Sequence, residues 1–235
     1  MKFDTPLTRG RLVKRYKRFL ADVELENGEI VVAHCANSGS MMGLKDEGNP
    51  VWLSPNQNPK AKLDWRWEVV EVEGALVGIN TSRPNAIVEE AILAGRVPEL
   101  SNYETLRREV KYGTNSRIDI LLENPDSDTA PSLCYVEVKN VTLKRHNHAE
   151  FPDAVTVRGA KHLGELADMV KAGHRAVMFY LVNRNDCTAF RLASDIDPAY
   201  ATAFDEAIKA GVEVLVYRAD LSAEAIEVGP KISCF

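Results

Sequence analysis

The chain has 235 residues, 45% of them hydrophobic and 27% charged, with a formal net charge of -5, the balance of an ordinary soluble globular protein. No apolar run approaches the ~20 residues that a membrane helix needs, and Met1-Lys2-Phe3-Asp4-Thr5-Pro6 lacks the apolar segment of a secretory signal, so the expected compartment is the cytoplasm. Cys35, Cys134, Cys187 and Cys234 lie far apart with no Cys-x-x-Cys, which speaks against a disulfide framework and a structural zinc site.

From residue 7 to about 79, short β-type runs alternate with turn signals, and no helix-period stretch intervenes. Strands are expected at residues 12–20, 21–25, 29–34, 52–53, 65–72 and 75–79, with Asn27-Gly28 as a hairpin turn. About five short strands in ~75 residues suit a small Greek-key barrel of the OB type, so residues 1–80 are read as an OB-like, nucleic-acid-binding barrel. Its first 20 residues carry seven basic side chains against one acid. Arg11, Lys14, Arg15 and Lys17 surround Tyr16 and Phe19, a mixture that suits an electrostatic track with a stacking platform or a solvated strand face. Trp65 and Trp67 are read as packing residues, because large aromatics dominate burial in small barrels.

The texture changes at residues 79–84, and residues 81–235 are read as a second unit. A helix is expected at residues 85–94, with Gly95 as its stop, and a helix-like stretch at 103–108. Strands follow at 117–122 and 133–138 around the turn-rich segment 124–132. Next come a helix at 157–171 ending by Gly173, a strand at 176–182, a helix at 198–210 stopping at Gly211, and a strand at 212–217. A hairpin followed by alternating helix and strand indicates an α+β or α/β arrangement, a mixed sheet flanked by helices.

The hairpin carries the chemistry. In Arg117-Ile118-Asp119-Ile120-Leu121-Leu122, period-2 alternation puts Arg117, Asp119 and Leu121 on one face and three aliphatic side chains on the other. In Tyr135-Val136-Glu137-Val138-Lys139 the same rule groups Tyr135, Glu137 and Lys139. A carboxylate from each strand then offers hard oxygen ligands to Mg2+ or Mn2+, the central need of a phosphodiesterase, with Lys139 beside them to steady transition-state charge. Glu-x-Lys alone is a weak signal, since Glu109-Val110-Lys111 repeats it. Only the later copy follows an Asp-bearing strand, and the bland alternative is a surface ion pair worth ~0 to 1 kcal/mol.

Asp119 followed by Glu137-Val138-Lys139 resembles the PD-(D/E)XK nuclease superfamily, and the wider chain resembles the sugar fermentation stimulation protein A family. The resembling stretches are His34-Cys35-Ala36-Asn37-Ser38-Gly39-Ser40-Met41, Ser116-Arg117-Ile118-Asp119, Glu137-Val138-Lys139-Asn140-Val141-Thr142-Leu143, Phe151-Pro152-Asp153-Ala154 and Arg158-Gly159-Ala160-Lys161-His162-Leu163. The resemblance implies an OB-like domain, a nuclease-like domain and DNA binding with little sequence preference. By it, Asp119 and Glu137 take the metal-ligand positions, Lys139 that of the catalytic lysine, and Glu90, or else Glu89, that of an acid on the preceding helix.

Arg158, Lys161 and His162 fall at helical spacings of three and four; they and Lys144 would grip phosphates beside the metal, or belong to a solvated surface. The expected function is a DNA-binding protein with a Mg2+- or Mn2+-dependent nuclease site. A non-catalytic DNA-binding regulator on the same scaffold and an RNA-processing factor stay open as alternatives, as does the oligomeric state, a homodimer included.

Overall fold

The computed structural model describes residues 1–113, 115–124 and 133–234. Six strands open the chain: β1 (Thr8–Tyr16), β2 (Leu20–Leu25), β3 (Ile30–Cys35), β4 (Pro50–Pro55), β5 (Trp65–Val72) and β6 (Ala75–Gly78). Their order is β3-β2-β1-β4-β5-β6, and a parallel pairing of β3 with β5 closes the first five into a barrel. Alternation drives the closure: Ala21 and Val23 of β2 and Val31, Ala33 and Cys35 of β3 point inward, to a core with Leu12, Met41, Leu53 and Trp67. Trp67 is fully buried and its indole N–H donates to the Val69 carbonyl at 3.0 Å, so burial leaves no polar atom orphaned. The strand expected through residue 20 ends earlier. The chain reverses at Lys17 and Arg18, both left-handed (φ 48° and 64°), and no glycine announces that turn.

The second unit contains α1 (Pro84–Leu93), β7 (Thr105–Tyr112), β8 (Ser116–Glu123), β9 (Leu133–Val141), β10 (Leu143–Arg145), β11 (His148–Phe151), α2 (Val157–Lys171), β12 (Arg175–Val182), β13 (Ala189–Leu192), α3 (Pro198–Ala210), β14 (Glu213–Leu221), β15 (Ile226–Lys231) and β16 (Ser233–Cys234). The main sheet has the order β15-β14-β12-β9-β8-β7. Its centre, β9, β12 and β14, is parallel and its flanks are antiparallel. β12 is buried along its length after Arg175, as expected for a parallel strand covered on both faces. α1 covers one face and α2 with α3 the other, which separates two apolar cores. A small sheet, β10-β11-β13-β16, lies beside them.

The helix-like stretch at residues 103–108 is corrected to strand β7. It pairs with β8 from Thr105↔Glu123 to Tyr112↔Ser116 as a largely exposed edge, so it carries no apolar alternation to betray it. The turn-rich segment expected at 124–132 lies, after Asn124, outside the described residues. Among the described residues no helix is long and apolar enough to cross a membrane.

Barrel and sheet are joined at several points. Val69, Trp52 and Leu76 of the barrel pack into the same core as α1. Gly78 N–H donates to the Asn183 carbonyl at 2.8 Å, while Asp153, just before α2, accepts from Ser40 Oγ and Met41 N–H at 3.0 and 3.2 Å. Glu68 of β5 is buried and accepts from Ser54, Asn80 and Arg83, the last immediately preceding α1.

Candidate metal centre

β8 and β9 pair from Glu123↔Leu133 to Ile120↔Val136, and the next position in that register sets Asp119 opposite Glu137. There the ladder opens, because Asp119 Oδ2 accepts the Val138 N–H at 2.8 Å in place of a backbone carbonyl. On the other side of β8, the pairing with β7 skips the same level, at Glu109 with φ 53°. Ile120 and Leu122 lie in the core under α1, but Ile118 lies in the core under α2. The expected alternation, with all three aliphatic side chains on one face, therefore fails at Asp119, where β8 twists.

Two helices reach this opening from opposite layers. Asn85 of α1 donates to Asp119 Oδ1 at 2.8 Å. From α2, His162 Nδ1 contacts Glu137 Oε1, and Lys139 Nζ lies 2.7 Å from the same oxygen. Burial and the neighbouring charge of Glu137 push the Asp119 carboxyl up to about 6, against the opposing pull of Val138 N–H, Asn85 and Lys139. Burial would raise Glu137 as well, but His162 and Lys139 outweigh it and hold Glu137 below the usual carboxylate range. The two carboxyls are therefore pushed apart, Glu137 below the usual range and Asp119 above it, as expected for like charges sharing a site.

Among the described residues, three buried polar atoms around this point have no hydrogen-bond partner: Glu137 Oε2, Tyr112 Oη and Glu165 Oε2. Tyr112 is pushed far up, chiefly by burial and then by Glu137, Glu165 and Asp119. An open groove of about 390 Å³ lined by Lys111, Tyr112, Asn115, Ser116 and Arg117 lies alongside. Lys161 reaches it through Ser116 Oγ at 3.1 Å, and Ser116 in turn donates to Glu165.

Asp119, Glu137 and Lys139 thus meet as expected, while other expected site residues do not join them. Glu90 turns to the Met1 ammonium and Arg96, and Glu89 to Arg108; α1 brings Asn85 to the site instead of an acid. His162 is 4% exposed, so it is an internal partner of Glu137 and not a surface phosphate contact, whereas Arg158 and Lys161 remain exposed. Lys144 is tied to Asp186 at 2.7 Å and to Glu73. In the barrel, Arg15 donates to the carbonyls of Arg18, Asn37 and Gly39 and braces that loop. Lys14 and Tyr16 both engage Asp22, and Arg11 lines a shallow groove of about 310 Å³ with Arg9 and Glu24. Asn85, Tyr112 and Glu165 escaped the sequence reading. Asn85 is a neutral residue at a position searched for acids, and the other two show only through their orphaned atoms.

Comparison with known proteins agrees with this architecture. Residues 13–79 match the SfsA N-terminal OB domain, and residues 82–225 match the sugar fermentation stimulation protein RE domain. A sugar fermentation stimulation protein homolog of Paramagnetospirillum magneticum is 56% identical over 233 residues, covering 99% of this chain and 97% of that one. The homolog of Rhodospirillum rubrum is 60% identical over 221 residues, covering 91% and 90%. The structure of Pyrococcus furiosus SfsA in complex with Ca2+ superposes with a TM-score of 0.87 at 26% identity, over 100% of this chain and 98% of that one. By fold, by both family matches and by these relatives, the chain belongs to the sugar fermentation stimulation protein family.

Proposed function

We propose that the chain binds DNA with little sequence preference and cleaves it at a Mg2+- or Mn2+-dependent phosphodiesterase site formed by Asp119, Glu137 and Lys139. The observation that carries this reading is Glu137 Oε2, a buried carboxylate oxygen without a partner among the described residues, on a residue held ionised next to Asp119. A buried charged oxygen left bare is costly unless a ligand completes it. The donor set fits a hard divalent ion: Glu137 Oε2 and the remaining lone pairs of the Asp119 oxygens. The Ca2+ in the Pyrococcus furiosus relative is an ion of that class.

Bound there, such an ion lowers the pKa of a water and neutralises charge on phosphoryl oxygens. The chain's own residues supply the remainder. Lys139 places an ammonium beside Glu137 and so beside the attacked phosphate. Arg117 and Lys111 on the groove, with Lys161 at its edge, offer cations to the flanking phosphates. Contacts of that kind fix position without reading sequence.

The test is a cleavage panel of single- and double-stranded DNA and RNA with Mg2+ or Mn2+, run beside Asp119→Ala and Lys139→Ala. Metal-dependent cleavage of DNA that both substitutions abolish, with the fold retained, is expected. Intact substrates throughout would remove the enzymatic claim, and preferential RNA cleavage would make the protein an RNA-processing factor. A second reading, a non-catalytic DNA-binding regulator, is favoured by Asn85, which brings a neutral amide to Asp119 where a third acid was expected. That reading expects metal-independent binding that weakens steeply with salt.

A further inference from the structure

The two oxygens of Glu137 have different surroundings. Glu137 is 2% exposed; its Oε1 meets both Lys139 Nζ and His162 Nδ1, while Oε2 has no hydrogen-bond partner among the described residues. On the far side of the imidazole, Arg158 Nε lies 3.3 Å from His162 Nε2. A guanidinium has only N–H groups to offer, so Nε2 is the accepting nitrogen of the neutral ring and Nδ1 carries the proton. Nδ1 therefore donates to Glu137 Oε1. Lys139 Nζ, 3.4 Å from Nδ1, is a second donor converging on the same carboxylate oxygen.

Local sequence explains why the ring is held in place. Thr156 caps α2 by accepting the Gly159 N–H at 3.1 Å, and Asp197 fixes Thr156 by accepting its N–H at 2.7 Å. Arg158 and His162 are four apart and share one face. Leu163 and Leu166 anchor the helix in the core under the sheet. The backbone that carries the imidazole is thus held at its cap and along its core face.

We propose that His162 is the positioning residue of the metal centre: Arg158 selects its tautomer, its Nδ1–H pins Glu137 Oε1, and Glu137 Oε2 is thereby aimed at the ion as a single ligating oxygen. This inference rests on the metal reading above and adds to it a hydrogen-bonded chain, Arg158 to His162 to Glu137. Partners that orient a metal ligand through its outer hydrogen bond typically change metal affinity by about 10- to 100-fold when removed. Here the usual order is inverted, with a carboxylate touching the ion and a histidine behind it.

The test is a titration of the full chain with Mn2+ alone, read by the loss of the free-ion electron paramagnetic resonance signal, with circular dichroism to verify fold. His162→Phe removes the N–H and is expected to weaken Mn2+ binding by about 10- to 100-fold. His162→Asn, whose amide nitrogen returns a donor near the Nδ1 position, is expected to restore it, a rescue that a merely structural role would not produce. The exposed Arg158→Ala threatens the fold least and carries the test if His162→Phe does not fold; it is expected to weaken binding severalfold. Wild-type affinity in both His162→Phe and Arg158→Ala would overturn the positioning role while leaving the metal site standing. A wild-type protein that binds Mn2+ no better than Glu137→Ala would instead remove the metal site, and the role of His162 with it.

Discussion

Glu68→Gln is a sharp test of what joins the barrel to the rest of the chain. The Glu68 carboxylate accepts from Ser54 Oγ at 2.7 Å, Asn80 Nδ2 at 2.8 Å, and Arg83 Nη2 and Nε at 2.8 and 3.2 Å. Its side chain is fully buried, and that of Arg83 is 20% exposed. An amide of the same shape keeps one accepting oxygen and turns an NH2 toward donors, so it leaves the guanidinium without its ion-pair partner and with only the weaker attraction of Asp4. Breaking one partner of a buried pair typically costs about 3 to 5 kcal/mol, roughly a fifth or more of the ~5 to 15 kcal/mol that holds most proteins folded. With a urea dependence of about 3 kcal/mol per molar, the unfolding midpoint should fall by roughly 1 M or more. Arg83→Met in the Glu68→Gln background removes the stranded charge, so the double variant should be more stable than Glu68→Gln alone. A loss below about 1 kcal/mol for the single variant, or strict additivity in the pair, would refute the reasoning.

Three further outcomes are expected. Burial would raise Asp186, but Arg184 and Lys144 outweigh it and hold the carboxyl down at about 2. Such a depressed acid contributes stability above its unfolded pKa and loses it as pH falls through about 2, so Asp186→Asn should cost about 1 kcal/mol at pH 7 once solvent screening is allowed for; denaturation at pH 7 and pH 2 should show the cost disappear in acid. Asp153→Ala strands Ser40 Oγ and the Met41 N–H and should cost about 1 to 3 kcal/mol; hydrogen exchange should quicken at Met41, and unchanged protection there would count against the contact. Gly10→Ala sets a Cβ 2.6 Å from Val23 Cγ1 and 2.8 Å from the Glu24 carbonyl oxygen, so thermal melts should show about 1 to 3 kcal/mol of overpacking.

The helices show what sequence makes legible. α2 and α3 run over Val157–Lys171 and Pro198–Ala210, as their spacing and stop signals implied, because Thr156 and Asp197 cap their starts and Gly173 and Gly211 mark their ends. β7 stayed hidden because an exposed edge strand needs no apolar period. β10, β11, β13, β15 and β16 are short or peripheral, and none was read from the sequence. At the site, Asp119, Glu137 and Lys139 were legible because an Asp-bearing strand precedes Glu137-Val138-Lys139 at short range, although the alternation used to group them breaks at Asp119, where Ile118 and Ile120 lie in different cores. The role of His162 was not, because helical spacing groups it with Arg158 and Lys161 but does not say which of the three faces the sheet. Glu90 was misread for the same reason: its helix packs with Asn85 nearest Asp119, and the Met1 ammonium competes for the acid.

The core that takes in Val69, Trp52 and Leu76 alongside Ile87 and Phe179 also determines how far barrel and sheet can move against each other. A barrel on a free tether could swing to follow its ligand, but this one is seated in its neighbour's interior, and pivoting it would open apolar surface to water. The span from the barrel to the Asp119–Glu137 pair is consequently a fixed ruler, and under the function proposed above a nucleic acid touching both would have to conform to it by bending or by offering a segment of matching length.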